Sequence, residues 1–307
     1  MTTTAFHGVV PPVITPLDES GAFDEAAFER VVERLIASGV HGIFVLGSSG
    51  EVAFLSDEER TRVLAASVRV AAGRVPVMAG VNEMTPARVI GQVRLAEAAG
   101  VDAIVATAPY YARPSAAEVE AHFRLVAAAT ALPIFAYDVP VRVHTKLDHA
   151  MLVRLGSEGV LAGVKDSSGD DVAFRRLVMA NRAAGSPLAL FTGHEVVVDG
   201  ALLAGADGVV PGLGNVDPQR YVQLFDAAGA EDWARVRLLQ DEIAELFEIV
   251  FQASGVSGEA AGLGAFKTAL AHLGVIGSNR MSQPVPSLEG DTVDRIAAIV
   301  DRAELSA

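Results

Sequence analysis

Eight short apolar runs, rich in Val and Ile, recur along the chain, each followed by a polar loop and an amphipathic stretch of roughly 10 to 20 residues. They lie near Val9–Thr15, Gly42–Leu46, Val75–Ala79, Ala103–Thr107, Pro133–Tyr137, Leu161–Lys165, Leu188–Thr192 and Gly208–Val210. A strand that is apolar on both of its faces must be covered on both sides, as happens in a parallel sheet packed under helices. Eight such units within 307 residues favour an α/β fold closed into a (β/α)8 TIM barrel.

Helix starts support this spacing. Ser56 with Glu59 and Ser115 with Glu118 form capping-box patterns, and Thr85-Pro86 and Asp217-Pro218 place a capping side chain before a proline suited to the first helical turn. Beyond the eighth run the alternation stops, and only helical segments follow, at Glu231–Phe251, Ala261–His272 and Asp291–Ala303. The expected organisation is a barrel over residues 1–228 and a C-terminal helical extension over 229–307, packed on the barrel.

A hydrophobic content of 51% is ample for a large core. The chain has no cysteine, which excludes disulfides, thiol nucleophiles and thiolate metal sites and fits a reducing compartment. No apolar run approaches the roughly 20 residues of a membrane helix. The start, Met1 to Phe6, lacks the basic and apolar regions of a secretory signal, so a cytoplasmic protein is expected. A net charge of −14 without a Lys/Arg cluster would repel nucleic acid and anionic membranes. An anionic small substrate would need a local cation, which makes single Arg and Lys residues at strand-end loops informative.

Lys165 is such a residue. It is one of three lysines and ends the apolar run Val160 to Val164, just before Asp166-Ser167-Ser168. Burial disfavours an ammonium, so a lysine at a strand mouth can lose its proton near neutral pH and attack a ketone to give a Schiff base. The bland alternative is a strand cap paired with Asp166. In a barrel of this kind chemistry sits at the C-terminal strand ends. There the chain places Gly47-Ser48-Ser49-Gly50-Glu51, Tyr110-Tyr111, Tyr137-Asp138-Val139-Pro140-Val141-Arg142 and Lys165, a set holding three of its four tyrosines. Taken singly, each piece could be a turn, a packing element or a surface ion pair; their common face is what unites them.

These motifs, with Pro109 before the tyrosine pair, Gly163-Val164 before Lys165, and the earlier Pro12-Val13-Ile14-Thr15-Pro16, Gly21 and Asp24, resemble the dihydrodipicolinate synthase and N-acetylneuraminate lyase family of pyruvate-dependent class I aldolases. The resemblance spans at least Val9 to Gly214. It implies that Lys165 forms an imine with a 2-oxo acid, usually pyruvate, and that Tyr137 moves protons through a relay containing Ser48. It further implies that Tyr111 reaches the site of a neighbouring subunit. Ser49 and the backbone N–H groups of Gly47–Gly50 would hold the keto acid's carboxylate, Arg142 the carboxylate of the aldehyde, and the Val210 carbonyl and Gly193 would border the pocket. A homo-oligomer follows, expected as a tetramer built from two dimers.

The chain departs from the family's common pattern in carrying serine at both hydroxyl positions, 48 and 49, and Val143-His144 after Arg142. Those departures, with Gly193-His194-Glu195, bear on the acceptor, whose hydroxyls His144 or Glu195 could bind. Condensation of pyruvate with aspartate semialdehyde is the first expectation. The alternatives are aldolases for 2-keto-3-deoxy sugar acids, 4-hydroxy-2-oxoglutarate or N-acetylneuraminate. A different class, a phosphate-binding barrel isomerase, would use the loop Gly208 to Asn215 as a cradle, and a silent keto-acid sensor is a third possibility. Neither a cofactor nor a metal is expected. The protonated imine is its own electron sink, and the nearest two histidines, His144 and His149, miss the spacing that puts two ligands on one helix face.

Overall fold

The computed structural model describes residues 6–305. Eight parallel strands, β1 (Gly8–Val9), β2 (Ile43–Val45), β3 (Val77–Gly80), β4 (Ala103–Thr107), β5 (Ile134–Asp138), β6 (Gly163–Asp166), β7 (Ala189–Thr192) and β8 (Gly208–Val209), pair in the order β1-β8-β7-β6-β5-β4-β3-β2. The ring closes between β1 and β2, where Phe44 N–H donates to Pro11 O at 3.0 Å and Val13 N–H to Phe44 O at 2.8 Å. The first strand is far shorter than the run Val9–Thr15 because Pro11 and Pro12 have no N–H to give a ladder. Around the ring every strand residue is buried.

Helices α1 (Glu25–Ala37), α2 (Asp57–Ala71), α3 (Pro86–Ala99), α4 (Ala116–Ala127), a single turn α5 (Pro140–Val143), α6 (His149–Ser157), α7 (Asp171–Ala183), α8 (Val198–Ala204) and α9 (Pro218–Gly229) follow the strands. Both capping boxes form, and Thr85 and Asp217 accept from the N–H groups of Arg88 and Arg220, so local sequence sets these starts. After α9 come α10 (Trp233–Phe247), α11 (Gly258–His272) and α12 (Asp291–Arg302). The run Glu231–Phe251 divides, its last four residues forming a 3-10 turn. These helices pack on the barrel: α10 lies against α8 and α9, and α11 against the turn Leu213–Asn215 that follows β8. No helix among the described residues is long and apolar enough to cross a membrane.

Candidate active site

Tyr137 and Lys165 are register partners on β5 and β6, so their side chains leave the sheet side by side. Both are buried, 4% and 6% exposed. The Lys165 amine lies 4.1 Å from the centre of the Tyr137 ring and 4.9 Å from that of Phe44. Asp166 is not its partner. That carboxylate accepts from Lys146 Nζ at 3.0 Å and from Ser168 N–H at 2.8 Å, and Lys146 also pairs with Asp138. Lys146 thereby clamps the ends of β5 and β6 at the register pair Asp138–Asp166, one residue beyond Tyr137 and Lys165. Burial pushes the Asp138 carboxyl up to about 6 despite Lys146.

The Tyr137 phenol is tuned by its neighbours. Burial pushes its pKa up, but the Lys165 charge and hydrogen bonds with Ser48, Ser167 and Lys165 outweigh burial and hold it below the ordinary value. Ser167 is a hydrogen-bond neighbour of the phenol that the motifs did not single out, although it stands two residues after Lys165. Its N–H donates to Asp138 O at 2.9 Å. Its hydroxyl occupies the space where a side chain at Gly193 would begin, since a Cβ there would lie 2.1 Å from Ser167 Oγ. Gly193 N–H is engaged as well, donating to Asp166 O at 2.7 Å. Gly193, expected at the pocket wall, therefore makes room for Ser167, and its N–H is not free to meet a ligand.

The loop after β2 carries Ser48, half-buried, and Ser49, buried. Leu46 enters it with φ 55, and its carbonyl occupies the space where a side chain at residue 80 would begin, since a Cβ on Gly80 would lie 2.0 Å from Leu46 O. The Gly50 N–H donates to Gly47 O at 3.1 Å and closes the turn, so it is not available to a carboxylate. The loop ends on Glu51, whose carboxylate pairs with Lys267 of α11 and accepts from Ser282 N–H at 2.8 Å. This ion pair is buried on both sides and ties the serine loop to the extension.

A cleft of about 560 Å³ adjoins the pair, a size suited to a small metabolite. Its walls include Ser48, Asn82, Thr107, Tyr110, Arg142 and Glu259. Lys165 and Tyr137 lie off these walls and join the cleft through Ser48 and through Thr107, the β4 neighbour of Tyr137. Arg142, on α5, faces the cleft but is not free: its guanidinium pairs with Glu259 in the first turn of α11. Tyr111 is 92% exposed with φ 73 and does not line the cleft, while Tyr110 is the half-buried member that does.

The loop after β8 is unlike a phosphate cradle. Leu213 N–H donates to Glu195 at 2.6 Å, Gly212 N–H also bonds that carboxylate, and Tyr221 OH lies 3.5 Å from it. The Glu195 carboxyl group already fills the position, which corrects both the phosphate expectation and the expectation that Glu195 meets substrate hydroxyls. Burial pushes Glu195 up to about 7. Val210 is buried, its N–H donating to Thr192 O at 2.8 Å. His194 pairs with Asp171 at 3.0 Å, His144 is exposed, and neither lines the cleft.

Residues 5–303 match the dihydrodipicolinate synthetase family. The chain belongs to that family. It is a lyase of the class I aldolase type. Among relatives, a 4-hydroxy-tetrahydrodipicolinate synthase of Phenylobacterium zucineum is 35% identical over 96% of this chain and 97% of its own. One from Mesorhizobium japonicum is 31% identical over 97% and 99%. Solved structures agree in fold. The dihydrodipicolinate synthase of Bacteroides thetaiotaomicron is 29% identical with a TM-score of 0.91 over 96% of this chain and 98% of that one. YagE of E. coli K12, a family member solved in complex with pyruvate, is 25% identical with a TM-score of 0.92 over 98% and 99%.

Proposed function

We propose that this family member is a Schiff-base lyase that joins pyruvate to, or releases it from, an aldehyde. The observation that supports this most is the Lys165 amine set 4.1 Å from the Tyr137 ring, with both neighbouring aspartates engaged by Lys146 instead. Lys165 Nζ adds to the keto carbon of pyruvate and water leaves, giving a protonated imine. Loss of a C3 proton then gives the enamine, whose C3 attacks the aldehyde carbon as the aldehyde oxygen takes up a proton. Water returns to free the product and Lys165, and cleavage runs the same steps backwards. Tyr137 carries the protons, and its lowered pKa brings the phenol nearer to working pH. Ser48 and Ser167 relay them, Ser49 and the loop amides other than Gly50 N–H hold the pyruvate carboxylate, and Val210 O borders the imine. No cofactor is required, because the imine nitrogen takes up the electron pair.

The exposed, positive-φ Tyr111 suits delivery into a neighbouring subunit, so a dimer is the minimal unit and a tetramer of two dimers the working form, in the cytoplasm. Sedimentation of a fully active monomer would refute that assembly. Treatment with pyruvate and borohydride should leave one reduced adduct, on Lys165, and Lys165→Ala should abolish both adduct and turnover. An adduct elsewhere, or none, refutes the mechanism.

For the acceptor, the named relatives favour aspartate semialdehyde, with Arg142 on its carboxylate. A second reading, a neutral hydroxylated aldehyde of the kind released from sugar acids, is favoured by the Glu259 carboxylate already on Arg142. A panel of pyruvate plus aspartate semialdehyde against cleavage of 2-keto-3-deoxygluconate, 4-hydroxy-2-oxoglutarate and N-acetylneuraminate separates them.

A further inference from the structure

Arg142 is the one cation among the residues lining the cleft, and Glu259 neutralises it. The other acid on the wall, Glu51, is matched by Lys267. Apart from the adjoining Lys165 amine, which the donor engages, the cleft therefore offers an incoming molecule no uncompensated positive charge. Glu259 is also well fixed. It follows the N-cap Ser257 in the first turn of α11, where the helix dipole favours a carboxylate, and it bonds Ser257 as well as Arg142. A contact spanning 117 residues thus sets the charge of the acceptor site.

The same cleft holds a neutral hydroxyl in need of a partner. Thr107 is 5% exposed, and its hydroxyl finds no partner among the described residues. A buried hydroxyl left in this state points to a ligand group that completes it. Beside it stands Asn82, which orients the strand by accepting from Thr107 N–H at 3.1 Å.

We propose that Glu259 is a specificity-determining residue: as a built-in carboxylate on Arg142, it selects an acceptor aldehyde that carries hydroxyls and no carboxylate. An aldehyde with its own carboxylate must either displace Glu259, leaving that anion partly buried without its counter-ion, or share one guanidinium with it. Both weaken binding. A hydroxyl meets no such conflict, because its oxygen accepts from Arg142 while its hydrogen is donated to Glu259; further hydroxyls meet Thr107 and Asn82. This rests on the Schiff-base mechanism, with pyruvate as the donor.

The test measures kcat/KM with saturating pyruvate for D-glyceraldehyde and for aspartate semialdehyde, in the wild type and in Glu259→Gln and Glu259→Ala. Within one preparation the ratio of the two values cancels the amount of folded enzyme, so a poorly folding variant still reports. Wild type should prefer glyceraldehyde, and both variants should shift the ratio towards the semialdehyde by about tenfold or more. An unchanged ratio, or a wild-type preference for the semialdehyde that the variants weaken, overturns the role given to Glu259. Borohydride trapping of pyruvate on the same samples separates the two levels: an adduct on Lys165 with an unchanged ratio defeats only this inference, and no adduct defeats the mechanism beneath it as well.

Discussion

Replacing Glu51 by glutamine should cost more than its small change in shape suggests. The side chain is 1% exposed and its partner Lys267 0%, so the pair has almost no access to water. Glutamine keeps the size of glutamate and an oxygen for the Ser282 N–H, so packing and that hydrogen bond survive. What is lost is the counter-charge, leaving a buried ammonium that still donates to the Arg280 carbonyl, 2.8 Å away, but faces no anion. Unpairing a buried charge costs about 3–5 kcal/mol, a large share of a typical folding free energy of about 5–15 kcal/mol. Lys267→Met should cost a similar amount by stranding the carboxylate. The double variant, Glu51→Gln with Lys267→Met, removes both charges and should be at least about 2 kcal/mol more stable than the sum of the single losses predicts. Urea unfolding followed by circular dichroism and by the fluorescence of Trp233, the one tryptophan, measures this, and coincidence of the two curves tests two-state behaviour. Additive single losses would refute the ion-pair account. Since Glu51 terminates the serine loop, the folded fraction of Glu51→Gln should also form the pyruvate adduct more slowly.

Further outcomes follow from the same geometry. Glu195, pushed up to about 7 from 4.5, keeps a proton that the unfolded chain gives up, so its contribution to stability is complete below pH 4.5 and is lost as the pH rises through about 7. Glu195→Gln should flatten the fall in stability between about pH 4.5 and 7 by up to about 3 kcal/mol, at roughly 1.4 kcal/mol per pH unit; parallel wild-type and variant profiles would contradict this. Gly193→Ala should push the Ser167 hydroxyl off Tyr137, slowing adduct formation by about tenfold or more at a stability cost of about 1–3 kcal/mol. Ser167→Ala should slow it comparably, and the pair combined should be no worse than either; additive losses would break the link. Tyr137→Phe should leave imine formation slow but detectable by trapping, while wild-type rates in that variant would remove the phenol from the relay.

Much of this was legible in the sequence because it is locally encoded. Apolar runs wide enough to be buried on both faces specify strands under helices, and a capping residue fixes a helix start through bonds to its own first turn, as at Ser56 and Ser115. Strand ends that must share one rim put Ser48, Tyr137 and Lys165 near each other once eight units are counted. The run Val9–Thr15 overstates β1, because Pro11 and Pro12 have no N–H to complete a ladder. Contacts between distant segments carry no such local signature. Only the folded chain brings Lys267 to Glu51, Gly193 to Ser167, Glu195 to Leu213 and Glu259 to Arg142. Periodicity reports which side of an element faces the core; it does not report which charge on one loop meets which charge on a helix more than a hundred residues later. The sequence by itself therefore determined the barrel and which residues gather at its C-terminal rim, whereas the tertiary structure decided which cations remain available, because a charge is neutralised by whatever lies beside it in space.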